Sequence, residues 1–468
     1  MPVGDLLPEI LLLLGGVGCI LLAAFTPRAR QGLAAGLALL VLGVAAVLAV
    51  TQWSGPPRLT FSGVWALDPV AVAAKLLIIA GTGVVVLLSP EWMRTDRRHG
   101  EYYGLLLFAA LGSVMMAAAS DTMELVVGVL LSSAASYPLA AYHRAWAPSL
   151  EAGMKYYLLA ALTNALLALG MVLLFGIVGD TGYAATAAAL ADGADPVALI
   201  AAVTLIVIGL AFKMGAFPAH AWMPDVAQGA PAPVAAFLTV VPKIGAAVAL
   251  TRFVLLLPAE IAWPWIIAFV AVVTMTLGNL AALRQTDVRR LLGWSSVSQS
   301  GYALMAVTVA ATGGPAIAAL LVFLAGYAVA NVAAFAVVVS WRGRTALDDY
   351  RGLAGTQPVP AVVLVVALLS LVGIPPTIGF FGKLLLFDVT IDGGYAWLAV
   401  VAAVNTVMSL YYYLRVIAPM VLAPRDGDVH RLGPLAGLAA AVAGLGVIGL
   451  GLGAEALLAL VPSVAVAR

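Results

Sequence analysis

Apolar runs of roughly twenty residues recur from one end of the chain to the other, separated by short polar breaks. A helix rising about 1.5 Å per residue needs about 20 residues to cross a hydrocarbon core of about 30 Å. The runs fall near 6–25, 31–51, 68–88, 103–119, 121–141, 152–178, 195–217, 231–255, 263–283, 289–311, 314–340, 359–388, 394–421 and 434–460. They are continuous in Leu, Ala, Val and Gly rather than alternating, and twice the length of the roughly 10-residue segments of a membrane barrel. Helices satisfy their own backbone in lipid and are what remains. The pattern predicts an all-α integral membrane protein of about fourteen transmembrane helices, a single polytopic domain over 1–468.

Composition agrees. Of the 468 residues 63% are hydrophobic and 10% charged, against about 25% charged in a soluble domain, and the mean hydropathy is +1.09. No stretch between spans exceeds about 20 residues, so redox or catalytic machinery in water has to belong to partner chains. A net charge of +1 without a basic tract leaves no footprint for nucleic acid. The single Cys19 excludes an intrachain disulfide and a thiolate cluster, and His99, His143, His220 and His430 show no metal-ligand spacing. MPVGDLLPEI lacks the positive region of a signal peptide and reads as the start of a retained first helix.

Charge fixes an orientation. The loops after odd-numbered spans carry Arg28, Arg30, Arg94, Arg97, Arg98, Arg144, Arg284, Arg289, Arg290, Arg342, Arg344, Arg351, Arg425 and Arg431. The other side carries Arg58, Arg468 and the acidic Asp180, Asp192, Asp195, Asp388 and Asp392. By the positive-inside rule the first set is cytoplasmic and both termini lie outside, in a bacterial-type plasma membrane.

The lysines behave differently: Lys75, Lys155, Lys213, Lys243 and Lys383 all lie within or at the edge of apolar spans. A charge at the bilayer centre costs about 2.5–3.5 kcal/mol on insertion scales, so such residues face the protein interior and usually function. A desolvated lysine can take up and release a proton, whereas an arginine stays charged. Lys155, near the start of its span, reads first as a lysine reaching the interface, and Lys75 reads either way. Lys213, Lys243 and Lys383 are each tied to a helix interruption: Pro218 and Pro224 follow Lys213, Pro242 precedes Lys243, and Pro375 and Pro376 precede Lys383. Proline removes a backbone bond and breaks or kinks a helix, and irregular backbone at depth is tolerated where it lines a polar cavity. The interrupted spans 7 and 12 are five apart, which suggests two five-helix repeats, spans 4–8 (103–255) and 9–13 (263–421). Helices 1–3 (1–90) precede them and a C-terminal helix (434–460) follows. Asn279, the polar run Trp294–Tyr302 with Gln299, Asn331 and Asn405 either hold water between the lysines or join helices.

At these residues the chain resembles a known family. FKMGAFPAHAWMPDVAQGAPAPVAAFLTVVPK (212–243), GNLAALRQTDVRRLLGWSSVSQSGY (278–302), GIPPTIGFFGK (373–383) and NTVMSLYYYLR (405–415) resemble the antiporter-like subunits of complex I, the proton-pumping NADH:quinone oxidoreductase. GEYYGLLLF (100–108) and SLEAGMKYYLL (149–159) extend the likeness over about 68–420, and PDVAQGAP with Lys383 is most similar to the subunit N branch. The resemblance implies inverted repeats, discontinuous helices 7 and 12, and a proton path through Lys213, Lys243 and Lys383. Lys75, Glu124, Lys155, Gln299, Asn331 and Asn405 are candidate supports. It also implies membrane-arm and peripheral-arm partner subunits, with FMN, iron–sulfur clusters and the principal quinone site outside this chain. Related folds occur in multisubunit cation/proton antiporters, and a structural subunit with a decayed path is a third alternative. Two departures stand out. The family's span-5 glutamate is replaced in GVLLSSAASYPL, with Leu130 read at its position, and Gln299 stands where histidine is common. Both suggest altered coupling.

Overall fold

The computed structural model describes residues 3–94, 99–193, 195–258, 261–424 and 433–455. Arg97, Arg98, Arg425, His430, Arg431, Arg468 and the end of the expected last span, 456–460, lie outside the described residues.

The chain runs α1 (Leu7–Phe25), α2 (Leu33–Gln52), a hairpin of β1 (Arg58–Thr60) and β2 (Trp65–Leu67), α3 (Pro69–Met93), α4 (Gly100–Ala118), α5 (Thr122–Ala140) and α6 (Ala147–Val178). It continues through α7 (Tyr183–Ala191), α8 (Pro196–Met214), α9 (Trp222–Gly229), α10 (Ala232–Val254), α11 (Trp263–Ala282) and α12 (Val288–Thr308). Then come α13 (Gly314–Ser340), α14 (Leu353–Thr356), α15 (Pro358–Val372), α16 (Ile378–Asp392), α17 (Ala396–Leu422) and α18 (Pro434–Leu452). The hairpin is antiparallel with Arg58 opposite Leu67.

Among the described residues, 12 helices are long and apolar enough to cross a membrane. Two more of the expected spans correspond to α12, which is too polar to join that set, and to the pair α15 and α16. Aspartates start many of these helices. Asp68, Asp121, Asp195 and Asp287 accept from backbone N–H groups in the first turns of α3, α5, α8 and α12, satisfying donors that a helix start leaves open.

Three expectations are corrected. The span read as 195–217 ends at Met214 and a separate short helix, α9, follows it. Pro224 therefore breaks nothing; it lies in the first turn of α9, where a missing N–H costs no helical bond. Pro242 does not break its helix either: α10 runs unbroken from Ala232 to Val254 because the surrounding helices bury it completely and hold its course. The remaining prolines, Pro218, Pro375 and Pro376, do sit in non-helical segments. The hairpin and α7 were not legible as regular structure.

α10 and α13 form the centre, the first wholly buried and the second nearly so. The outer helices α1, α2, α6, α17 and α18 turn Leu14, Val47, Val172, Val407 and Leu445 outwards, each more than 60% exposed, as lipid-facing surfaces require.

Candidate functional site

Lys213 occupies the last turn of α8. The helix stops because Gly215 takes a left-handed φ of 68°, a conformation that glycine adopts without strain. Gly215 N–H closes the last turn onto the Phe212 carbonyl at 3.0 Å, and side chains from outside the helix add to the carbonyls at its end. The Trp222 indole N–H donates to the Phe212 carbonyl at 3.0 Å, and the Ser300 hydroxyl donates to that of Met214 at 2.5 Å. The Lys213 ammonium is fully buried and donates to the Ser132 hydroxyl at 3.4 Å.

The second break separates α15 from α16. Gly373 ends α15 at φ 96°, and Lys383 reaches back from α16 to donate to the carbonyls of Leu371 and Val372 at 3.1 and 2.9 Å. It thereby caps the negative end of α15. Its ammonium also lies over the Tyr302 ring, 4.2 Å from the centroid. Gln299 donates to the same Leu371 carbonyl at 2.9 Å.

Lys243 is buried mid-way along α10. It donates to the Ser296 carbonyl at 2.6 Å and hydroxyl at 2.8 Å, and lies 4.4 Å from the Tyr327 ring centroid. Tyr327 exchanges a hydrogen bond with the Ser296 hydroxyl at 2.7 Å, and Asn331 donates to the Thr239 hydroxyl at 2.8 Å.

The three surroundings meet on α12. Ser296, Gln299 and Ser300 sit at i, i+3 and i+4 on one face, within about 6 Å of helix length. Each serves one lysine: Ser296 holds Lys243, Gln299 shares a carbonyl with Lys383, and Ser300 binds the carbonyl next to Lys213. Among the described residues, none of the three lysines makes an ion pair. This turn therefore places a hydroxyl, which both donates and accepts, directly against Lys243 and two further polar side chains on the carbonyls beside Lys213 and Lys383.

Comparison with known proteins identifies the scaffold. Residues 119–409 match the family described as NADH:quinone oxidoreductase/Mrp antiporter, transmembrane. NADH-quinone oxidoreductase subunit N of Mycobacterium sp. (strain JLS) is 46% identical over 90% of each chain. Subunit N 1 of Streptomyces griseus is 44% identical over 94% of this chain and 92% of its own. The chain belongs to the NADH-quinone oxidoreductase subunit N family. Among solved structures, a chain of respiratory complex I from Thermus thermophilus is similar at 31% identity and a TM-score of 0.83, covering 97% of this chain and 99% of that one. The Mrp complex of Dietzia sp. shares the fold, with a TM-score of 0.88 at 21% identity over 99% of this chain and 97% of that one.

Within this subunit N family fold, other expected site residues separate from the axis. Leu130 does not face Lys213: it is 47% exposed on the outer side of α5, because two residues rotate a helix by about 200°. The side chain that meets Lys213 is Ser132, a hydroxyl without charge. Glu124 stands in the first turn of α5, near Asp121. Lys155 is 45% exposed and pairs with Glu151 at 2.7 Å and Asp225 at 2.9 Å; Arg290 completes the cluster, 2.5 Å from Asp225. Asn405 bonds Asn279 and Thr276, joining α17 to α11. Arg289, read as a loop residue, is buried, because its guanidinium donates to the carbonyls of Ala227 and Ala230 and closes the end of α9.

Two buried ion pairs escaped the sequence. Lys75 meets Glu9 of α1 at 2.5 Å and Gln52 of α2 at 2.8 Å. Arg252 meets Asp68 at 2.6 Å and donates to the Ala117 carbonyl. A carboxylate inside the first apolar run was the available signal for Glu9; Asp68 sits at a helix start, where capping accounts for it without a partner.

Proposed function

We propose that this chain is an antiporter-like membrane subunit of a respiratory NADH:quinone oxidoreductase and passes protons along Lys213, Lys243 and Lys383 while quinone is reduced elsewhere in the complex. The observation that carries this reading is the convergence of three buried, unpaired lysines on the single turn Ser296–Ser300 of α12. A buried amine without a counter-ion is costly to keep charged, so each can lose its proton to a neighbouring hydroxyl or water and regain it. Arginines in the same positions could not.

In this reading FMN, the iron–sulfur clusters and the quinone belong to the other membrane-arm and peripheral-arm subunits, and this chain performs no redox chemistry. Fourteen crossings in two inverted five-helix repeats are the matching architecture, with the Arg-rich loops cytoplasmic and both termini outside. Identity to subunit N relatives favours an oxidoreductase complex over a cation/proton antiporter, for which the likeness is one of fold. Ser132 opposite Lys213 supports altered coupling at the first station, since a hydroxyl cannot supply the charge of a carboxylate.

The test is proton translocation by the whole complex in proteoliposomes, with Lys213→Ala, Lys243→Ala and Lys383→Ala made singly. Loss of pumping in the Lys243 and Lys383 variants is expected, with a smaller loss for Lys213. Unchanged proton-to-electron ratios in all three would sink the path, and dependence on a monovalent cation would point to antiport instead.

A further inference from the structure

A cavity of about 480 Å³ lies away from the lysine axis, where the ends of α3 and α13, the α5–α6 loop and the start of α12 meet. Its wall includes the indoles of Trp92, Trp146 and Trp341 and the side chains of Arg289, Arg342 and Arg344. Two indole N–H groups are already engaged: Trp92 donates to His143 Nε2 at 2.8 Å and Trp341 to Gln357 Oε1 at 2.7 Å. Those bonds fix the rings. The Arg342 guanidinium stacks over Trp92, 5.0 Å from the ring centroid. Arg289 is committed to backbone carbonyls. Arg344, half-buried at the rim, makes no ion pair among the described residues.

A second cavity of about 410 Å³ adjoins it across Trp146 and Thr345, and the contrast is informative. There Lys155 and Arg290 face Glu151, Asp225 and Asp287, so the site neutralises itself. The first cavity has no carboxylate among its described lining residues. Arg344 leaves on this wall a positive charge that no described carboxylate balances, which an anion from outside can meet, and the tryptophans suit a ligand with an apolar body. Tryptophan concentrates at the level of lipid headgroups, and basic pockets between membrane helices bind anionic headgroups.

We propose that this cavity binds the headgroup of an anionic phospholipid, with the phosphate between Arg342 and Arg344 and the glycerol and first methylenes against the indoles. The volume falls in the range of small-molecule sites. The site is independent of the proton path.

The test uses the whole complex in vesicles containing a photoreactive phosphatidylglycerol, with adducts mapped on this chain by mass spectrometry. Labelling is expected at Trp146 and Val338, which line the cavity, and weakly or not at all with a photoreactive phosphatidylcholine. The double variant Arg342→Gln/Arg344→Gln should weaken labelling roughly thirtyfold, from the loss of two charges near an anionic headgroup. Both side chains lie near the rim, and co-purification of the other subunits checks that the variant assembles. Equal labelling by the two lipids, or labelling unaffected by the double variant, would overturn the proposal. So would complete competition by inorganic phosphate, which would identify a free-anion site in place of a lipid site.

Discussion

Lys243 donates to both the carbonyl and the hydroxyl of Ser296, at 2.6 and 2.8 Å, so one residue of α12 fixes an amine on α10 at two points. The same hydroxyl is shared with Tyr327. Ser296→Ala keeps the carbonyl contact and removes the hydroxyl from both partners. A hydrogen bond to a charged group contributes about 1.5–3 kcal/mol, so coupled turnover should fall roughly ten- to a hundredfold. Assembly should be unaffected. Measurement of quinone reduction and acidification together checks this; full coupled activity would exclude the hydroxyl from the path.

Ser132 offers a gain-of-function test. Ser132→Asp puts a carboxylate near the buried Lys213 ammonium, supplying a counter-charge that no described residue gives it. Pumping stoichiometry should rise or become less sensitive to the opposing gradient, as measured by proton-to-electron ratio. Leu130→Glu, on the exposed face of the same helix, should leave it unchanged. The pair of variants separates a local charge effect from a general one.

The second break rests on a close backbone approach. A Cβ on Gly379 would lie 1.9 Å from the Ser370 carbonyl oxygen, and no side-chain movement relieves a clash with backbone. Gly379→Ala should destabilise the α15–α16 junction by about 1–3 kcal/mol. The expected readout is a lower melting temperature of the purified complex and less of this chain in the membrane. Gly83→Ala, where nothing lies within 4 Å, is the control.

The buried pair Arg252–Asp68 should show the asymmetry of desolvated charges. Asp68→Ala leaves the guanidinium buried alone and should cost about 3–5 kcal/mol. Replacing both, Asp68→Asn with Arg252→Met, should recover part of that loss. Thermal unfolding of the complex for single and double variants measures the coupling. Additive losses would mean that the two charges do not stabilise one another.

Most of the architecture was legible because lipid permits few solutions: a run of about twenty apolar residues has to be a helix. Breaks at Gly215 and Gly373 were legible from prolines near lysines. The role of Pro242 was not, since a proline in a fully enclosed helix leaves the course of that helix to its neighbours. That Ser132 and not Leu130 faces Lys213 was not legible either, because residues two apart on a helix point to nearly opposite faces and the sequence does not say which face turns inwards. Partners across the bundle were the least visible. Nothing in the sequence near Lys75 points to Glu9, 66 positions away, and nothing near Lys383 points to the Tyr302 ring beneath it.

The polarity of α12 also bears on how the protein is made. Its mean hydropathy leaves it outside the set of self-sufficient crossings, because its inward turn is given over to serines and glutamine. It packs against α11 almost backbone to backbone: a Cβ on Gly278 would lie 2.5 Å from Ser298 N, and one on Gly301 2.6 Å from Met275 N. Small residues at such a seam are what lets membrane helices associate closely. A helix of this polarity, packed this closely on α11, is expected to insert as one arm of a hairpin with it, so that the turn holding the lysines forms only once both arms are in place.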